Sequence, residues 1–355
     1  MATERRPIHI VSVAAVALLV IGVVLFLKNF QLPASQNPDS PSPELEPAVS
    51  HLEAPPSPVS LPALFQKEIT GTDLTLGPVL ATTDAYTRYY VTYRSGELKI
   101  SGIFNLPRGD GPFPLLVLNH GHIDTAVYTN GRGLKREQDY LARRGYAVVH
   151  PDYRNHADSD DDPNAETNLR LGYTEDAIAA VFAVRAAKLP AVDATRVGML
   201  GHSMGGGVTL NVLVTRPDLV QAAVLFAPVS SDARDSFERW MARQSPTGPE
   251  VLKRYGSPTT SPEFWDNISP MTFFDRVNTP IQIHHGTADA DVPLEWSEQT
   301  LARLKAAGKT AELYVYEGEP HEFINAWPTV MARTVAFFDT LLKPKKSPRD
   351  WFSRE

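Results

Sequence analysis

The chain of 355 residues contains no cysteine. This absence removes a disulfide framework, a thiol nucleophile, a thiolate zinc site and any iron–sulfur ligand set. It leaves the compartment open, because a core of this size folds without disulfides on either side of a membrane. An excess of positive charge is lacking as well: 34 Lys+Arg face 41 Asp+Glu, a net charge of −7 that argues against general nucleic-acid binding. No internal repeat is visible. Nor is there a disordered composition, since 43% hydrophobic and 21% charged residues make an ordinary globular balance. The length suits one large domain or two small ones.

One long apolar run is present. From Ile8 to Leu27 the sequence reads IHIVSVAAVALLVIGVVLFL, with only His9 and Ser12 polar. At ~1.5 Å per residue such a helix spans roughly 30 Å, the thickness of a bilayer's hydrocarbon core. Arg5 and Arg6 precede it and Lys28 follows, so the positive-inside bias puts the N-terminus in the cytoplasm and the rest outside. A cleaved signal peptide is the alternative, but its apolar region would be too long and Leu32-Pro33-Ala34 is a poor cleavage site. Residues 1–30 therefore read as a single-pass membrane anchor. The proline-rich stretch 31–62 has no apolar periodicity and reads as an extended linker. The main folded domain is expected over 63–345, with a short tail at 346–355.

Within that domain two β-rich runs, 88–94 and 98–106, flank Ser95-Gly96-Glu97 and predict a hairpin. Short apolar runs then recur at 115–120, 146–150, 197–200, 222–226, 281–285 and 312–317. Helical patterns separate them at 134–144, 174–188, 206–216, 295–307 and 325–342. Alternation of this kind predicts an α/β domain with a mostly parallel sheet covered on both faces, the antiparallel hairpin at one edge. Residues 228–278 interrupt the rhythm without a strand, yet carry Phe237, Trp240, Trp265, Phe273 and Phe274. They read as a helical insertion over the C-terminal ends of the strands, where ligands bind in such folds. Trp240 and Trp265 are its candidate pocket residues, although aromatics in a segment this long also serve as its own small core.

The chemistry is concentrated in three places. Gly201-His202-Ser203-Met204-Gly205 fits G-x-S-x-G between the apolar run VGML and a helix-forming stretch. In that context the pattern is a strand–turn–helix junction that lifts a serine nucleophile to the top of a sheet. The glycines permit the tight turn, and a backbone N–H at the helix start points toward developing negative charge. Serine needs a base with a pKa near 7, and the order serine, acid, histidine places it at His321, after the last strand. The acid should follow the preceding strand, in His285-Gly286-Thr287-Ala288-Asp289-Ala290-Asp291. Asp289 is the favoured carboxylate, with Asp291 the alternative and otherwise a loop-stabilising group.

These segments, GHSMGG, HGTADADVP and EGEPHEF, together with YRSGELKISGIFNLP, resemble the catalytic domain of the prolyl oligopeptidase (S9) family of α/β-hydrolases over residues 85–343. The resemblance implies the α/β-hydrolase fold and a serine hydrolase acting on peptides, while related domains are esterases. Pro320 and Glu322 flank His321 where that family often has glycines. Asn119-His120-Gly121-His122-Ile123 stands where such enzymes place H-G-G, so the oxyanion hole is expected from the N–H of Met204 and that of His122 or Ile123. Each such donor is typically worth ~3 kcal/mol in the transition state. Residues 31–84 are too few for the propeller of larger members, which leaves size selection to the insertion or to oligomerisation.

No cofactor is implied. His120 and His122 lack a partner at zinc spacing, so no metal is expected. The loop Asp158-Ser159-Asp160-Asp161-Asp162-Pro163 has alternating carboxylates but lacks the turn glycine of a calcium loop, and Leu169 replaces its bidentate glutamate. It reads either as a solvated loop or, through Asp160, as a site for a cationic peptide N-terminus. The expected activity is thus that of a membrane-anchored serine peptidase acting on short peptides, with a carboxylesterase for small acyl esters as the alternative. A catalytically silent binding module on the same fold is the alternative of another class.

Overall fold

The computed structural model describes residues 57–343. The apolar run 8–27 and the tail 346–355 lie outside them. Among the described residues no helix is long and apolar enough to cross a membrane.

The domain begins slightly before its expected start. Ser60 caps helix α1 (Leu61–Gln66), its hydroxyl accepting from the Ala63 N–H, and Pro62 stands in the first turn. Leu61 is completely buried, so these residues belong to the core and not to a linker. A nine-stranded sheet follows, in the order β1-β2-β3-β5-β4-β6-β7-β8-β9. Strands β1 (Gly71–Thr82), β2 (Tyr86–Ser95) and β3 (Leu98–Pro107) form an antiparallel meander at one edge. The predicted hairpin is the β2–β3 pair, closed by a two-residue turn with Gly96 at φ 57° and Ser95 opposite Leu98. The edge position belongs instead to β1, a strand that was not expected.

From β5 (Ala147–Pro151) onward the neighbours are parallel: β4 (Phe113–Asn119), β6 (Val192–His202), β7 (Ala222–Phe226), β8 (Ile281–Gly286) and β9 (Ala311–Tyr316). Side chains alternate between two cores, as the strand period requires. Leu115 and Val117 face one core and Leu116 and Leu118 the other. Helices α3 (Leu171–Ala187) and α4 (Met204–Thr215) cover the first face, while α2 (Lys135–Ala142) and the final helix, α9 (Trp327–Leu342), cover the second. The chain passes from β4 to β5 on one side and returns to β6 on the other. The crevice at that reversal is where open α/β sheets bind ligands.

Residues between β7 and β8 form the expected run of short helices. These are α5 (Ala233–Ser236), a π-helical turn (Phe237–Met241), α6 (Gly248–Tyr255), α7 (Pro262–Asn267) and a 3₁₀ segment (Pro270–Arg276). Helix α8 (Leu294–Ala306) then separates β8 from β9.

Candidate active site

Ser203 stands between β6 and α4 with φ 57° and ψ −121°, a backbone conformation that a side chain adopts only under strain. Its N–H donates to Phe226 O at 2.9 Å, and its carbonyl accepts from Gly206 and Val229 at 2.9 and 3.1 Å. The surrounding glycines are there for clearance. A Cβ at Gly205 would come 2.0 Å from Asn119 O on β4, and one at Gly201 would come 2.2 Å from Gly205 O. Only glycine lets the helix start this close to the neighbouring strand end.

Two loops further along the sheet supply a carboxylate and an imidazole. Asp289 Oδ2 lies 2.7 Å from His321 Nδ1, the side chains being 1% and 9% exposed. Asp289 Oδ1 accepts from the N–H groups of Asp291 and Val292 at 2.9 and 2.8 Å. Burial by itself would raise the Asp289 pKa. The hydrogen bonds from His285, His321 and Val292 outweigh it and hold the carboxyl well below the usual range. Asp291 donates its backbone N–H to that carboxylate, and its own side chain is exposed.

The loop that carries His321 is fixed from several sides. Arg136 on α2 donates to the carbonyls of Glu322 and Phe323 at 2.7 and 3.2 Å. The Glu319 carboxylate accepts the N–H groups of Ile324 and Asn325 at 2.6 and 3.1 Å. The N–H of Ala288 reaches Glu319 O at 3.0 Å, joining the acid and histidine loops. His202, the residue before Ser203, has its Nε2 3.2 Å from His321 O, and the two rings lie 4.5 Å apart. Burial and the neighbouring His321 bring the His202 pKa down to about 3, so at neutral pH it is an uncharged donor. Through His202 the serine turn and the histidine loop are adjacent.

The loop after β4 approaches the same point. A Cβ at Gly121 would lie 3.2 Å from the Ser203 Cβ. His122 and Ile123 follow directly, His122 exposed and Ile123 half-buried. Beneath them the buried Asp152 carboxylate accepts from the Ser101 and Tyr128 hydroxyls, Asn130 Nδ2 and the Gly131 N–H at 2.6–2.8 Å. His120, also buried, has Nδ1 2.7 Å from Gly121 O and Nε2 3.1 Å from Asp152 O. Burial draws its pKa down to about 4.

Residues 132–345 match the model of the prolyl oligopeptidase family, more than half of the chain. The chain belongs to that family. Its similarity to an uncharacterized peptidase of Bacillus subtilis (strain 168), YuxL, is 28% identity over 224 residues, 60% of this chain and 31% of that protein. Cutinase 2 of Thermobifida cellulosilytica is 29% identical over 128 residues, 36% of this chain and 44% of the cutinase. Among solved structures, acetyl xylan esterase 1 from Thermoanaerobacterium sp. JW/SL YS485 superposes with a TM-score of 0.58 at 18% identity, covering 75% of this chain and 87% of the esterase. The chain spans less than half the length of either of these two sequence relatives. The fold is that of the α/β-hydrolases, and membership of the family makes the chain a serine hydrolase whose sequence relatives include a peptidase and a cutinase.

One of the expected pocket residues, Trp265, is corrected in this prolyl oligopeptidase family domain. Trp265 has no exposed surface: it packs on Phe237 and Phe264 at centroid distances of 4.6 and 5.6 Å, and its Nε1 donates to Gly256 O at 3.2 Å. It is the centre of the insertion's own core and not a pocket wall. Asp160 is engaged by the β2–β3 hairpin, its carboxylate accepting the Lys99 N–H at 2.7 Å and lying 3.8 Å from Arg94. Asp162 is turned toward the buried Arg154, which also pairs with Asp176 and Glu175. The acidic loop is therefore bonded internally through Asp162 and to the β2–β3 hairpin through Asp160, whose side chain stays 42% exposed. Trp240 remains half-buried, edge-on to Trp296 at 5.5 Å.

Among the described residues, Asp289, Asp291 and His321 bring ligand atoms within 4.8 Å of one another. Two of the three, Asp289 and His321, are already hydrogen-bonded to each other. Arg136, Glu319, His202, His285 and Arg239 were not expected from sequence. Glu319, His202 and His285 lie inside the motif segments and were within reach, whereas the two arginines act on backbone carbonyls far away in the chain.

Proposed function

We propose that the chain hydrolyses short peptides by an acyl-enzyme route, with Ser203 as nucleophile, His321 as general base and Asp289 as the orienting acid. The reading rests on the 2.7 Å Asp289–His321 bond beside a strained Ser203 turn. Ser203 Oγ would attack the carbonyl carbon while His321 takes its proton and then passes it to the leaving amine. Asp289, kept ionised by its hydrogen bonds, would hold the imidazole tautomer and stabilise the imidazolium. The N–H of Met204, with that of His122 or Ile123, would receive the developing oxyanion.

Ester hydrolysis is the second reading, favoured by the likeness to Cutinase 2 and to the acetyl xylan esterase fold. Trp240 is the remaining pocket candidate for either substrate. The apolar run 8–27 supports a single membrane anchor that leaves the catalytic domain outside the cytoplasm.

A fluorophosphonate probe tests the nucleophile: it should label the full chain and fail to label Ser203→Ala. Turnover should fall by several orders of magnitude in that variant. Near-normal turnover by folded Ser203→Ala would refute the mechanism. Aminoacyl-arylamides assayed beside short-chain aryl esters decide between the two substrates.

A further inference from the structure

We propose that Arg239, on the helical insertion, is a positioning residue for the acid Asp289. Its Nε donates to Asp291 O at 2.8 Å and its Nη2 to Ala290 O at 3.0 Å. Those two carbonyls belong to the same peptide units whose N–H groups hold Asp289 Oδ1, those of Asp291 and Val292. A trans peptide is rigid and directs its C=O and N–H to opposite sides. Arg239 therefore grips the outer ends of two peptide planes whose inner ends fix the carboxylate facing His321.

The grip is itself supported. Arg239 sits in the π-helical turn, anchored by buried Phe237 against Trp265. Its guanidinium lies 5.6 and 5.9 Å from the rings of Trp240 and Trp296, one on the insertion and one on α8. A planar two-pronged donor matches two successive carbonyls, and an ammonium cannot serve both in the same way. The insertion thus reaches the triad from behind, through the acid, and is more than a covering for the substrate.

This inference rests on the proposed roles of Asp289 and His321, and one experiment separates the two ideas. Arg239→Gln and Arg239→Lys are made in the full chain, alone and combined with Asp289→Asn. Arg239→Gln is expected to lower kcat about tenfold with KM changed less than about twofold, because small misplacements of catalytic groups act mainly on turnover. In the Asp289→Asn background the same change should cost nothing further. Arg239→Lys should recover part of the loss, and it carries the test if Arg239→Gln does not fold. The low-field NMR signal of the His321 Nδ1 proton should shift or broaden in Arg239→Gln. That signal judges the grip even if Ser203→Ala shows the serine mechanism to be wrong. An equal fractional loss in both backgrounds, or an unchanged proton signal in folded Arg239→Gln, would overturn the proposal.

Discussion

Acid should weaken this fold through histidines that cannot take a proton, and His284 allows the effect to be isolated. It lies on β8 with no exposed surface, Nε2 2.8 Å from Gln282 Oε1 and Nδ1 2.8 Å from the Tyr316 hydroxyl. Gln282 directs its Nε2 to Glu312, so its Oε1 must accept and the proton of neutral His284 sits on Nε2. Nδ1 then accepts from Tyr316, whose oxygen in turn accepts from Arg333 at 3.1 Å. Burial first, and the Arg333 cation second, bring the His284 pKa down to about 3. The unfolded chain binds its proton near pH 6.5. Between those values the unfolded state holds more protons, so stability is complete above about pH 6.5 and lost as pH falls toward about 3. By linkage the loss at pH 5 is about 2 kcal/mol from this one residue, with a limiting slope of ~1.4 kcal/mol per pH unit. Urea unfolding of the full chain at pH 7, 6 and 5 would measure it. His284→Gln keeps a donor and an acceptor but does not titrate, so its slope should be shallower by about that amount. Carboxylate contributions common to both proteins cancel in the difference. Identical slopes for the two proteins would refute the reasoning.

Asp289→Asn should lower kcat by about 10⁴-fold, as expected when the triad histidine loses its orienting carboxylate, while Asp291→Asn should stay within a fewfold of the unaltered enzyme. The reverse order would transfer the acid role to Asp291. Trp265→Ala should destabilise the domain by about 3–5 kcal/mol, seen as a lower Tm, because it empties the core of the insertion. A change in KM alone, at constant Tm, would return Trp265 to the pocket. Gly205→Ala should lower Tm as well, since its Cβ would sit 2.0 Å from a backbone oxygen that has no room to move.

The parts of the site legible in the sequence were those whose chemistry is written in adjacent residues. Ser203 is bracketed by glycines, Gly205 demanded by the close approach to β4 and Gly201 by that to the first turn of α4. Asp289 and His321 each follow an apolar strand run, so order along the chain translated into position along the sheet. Strand β1 was not legible because Gly77 and Pro78 interrupt it. As an edge strand it is largely exposed and has three register shifts, so it lacks apolar alternation. The surroundings of Trp265 and Asp160 were hidden for one reason. Burial by Phe237 and capture by Lys99 come from residues remote in sequence, and an aromatic or a carboxylate looks the same whether it meets substrate or protein. Arg136 and Arg239 left no pattern at all, since a donor to main-chain carbonyls requires no particular residue at the other end.

The left-handed backbone at Ser203 sets selection for chemistry against selection for folding. A side chain held at φ 57° carries a strain of about 1–3 kcal/mol, and a glycine would follow the same turn without it. At the one position where the hydroxyl is indispensable to the proposed chemistry, the fold would prefer a residue that has none. Relatives that abandon hydrolysis while keeping the architecture would meet no structural resistance to losing this serine. A glycine at position 203 in such a lineage would then mark relaxed demand for catalysis and not damage to the protein.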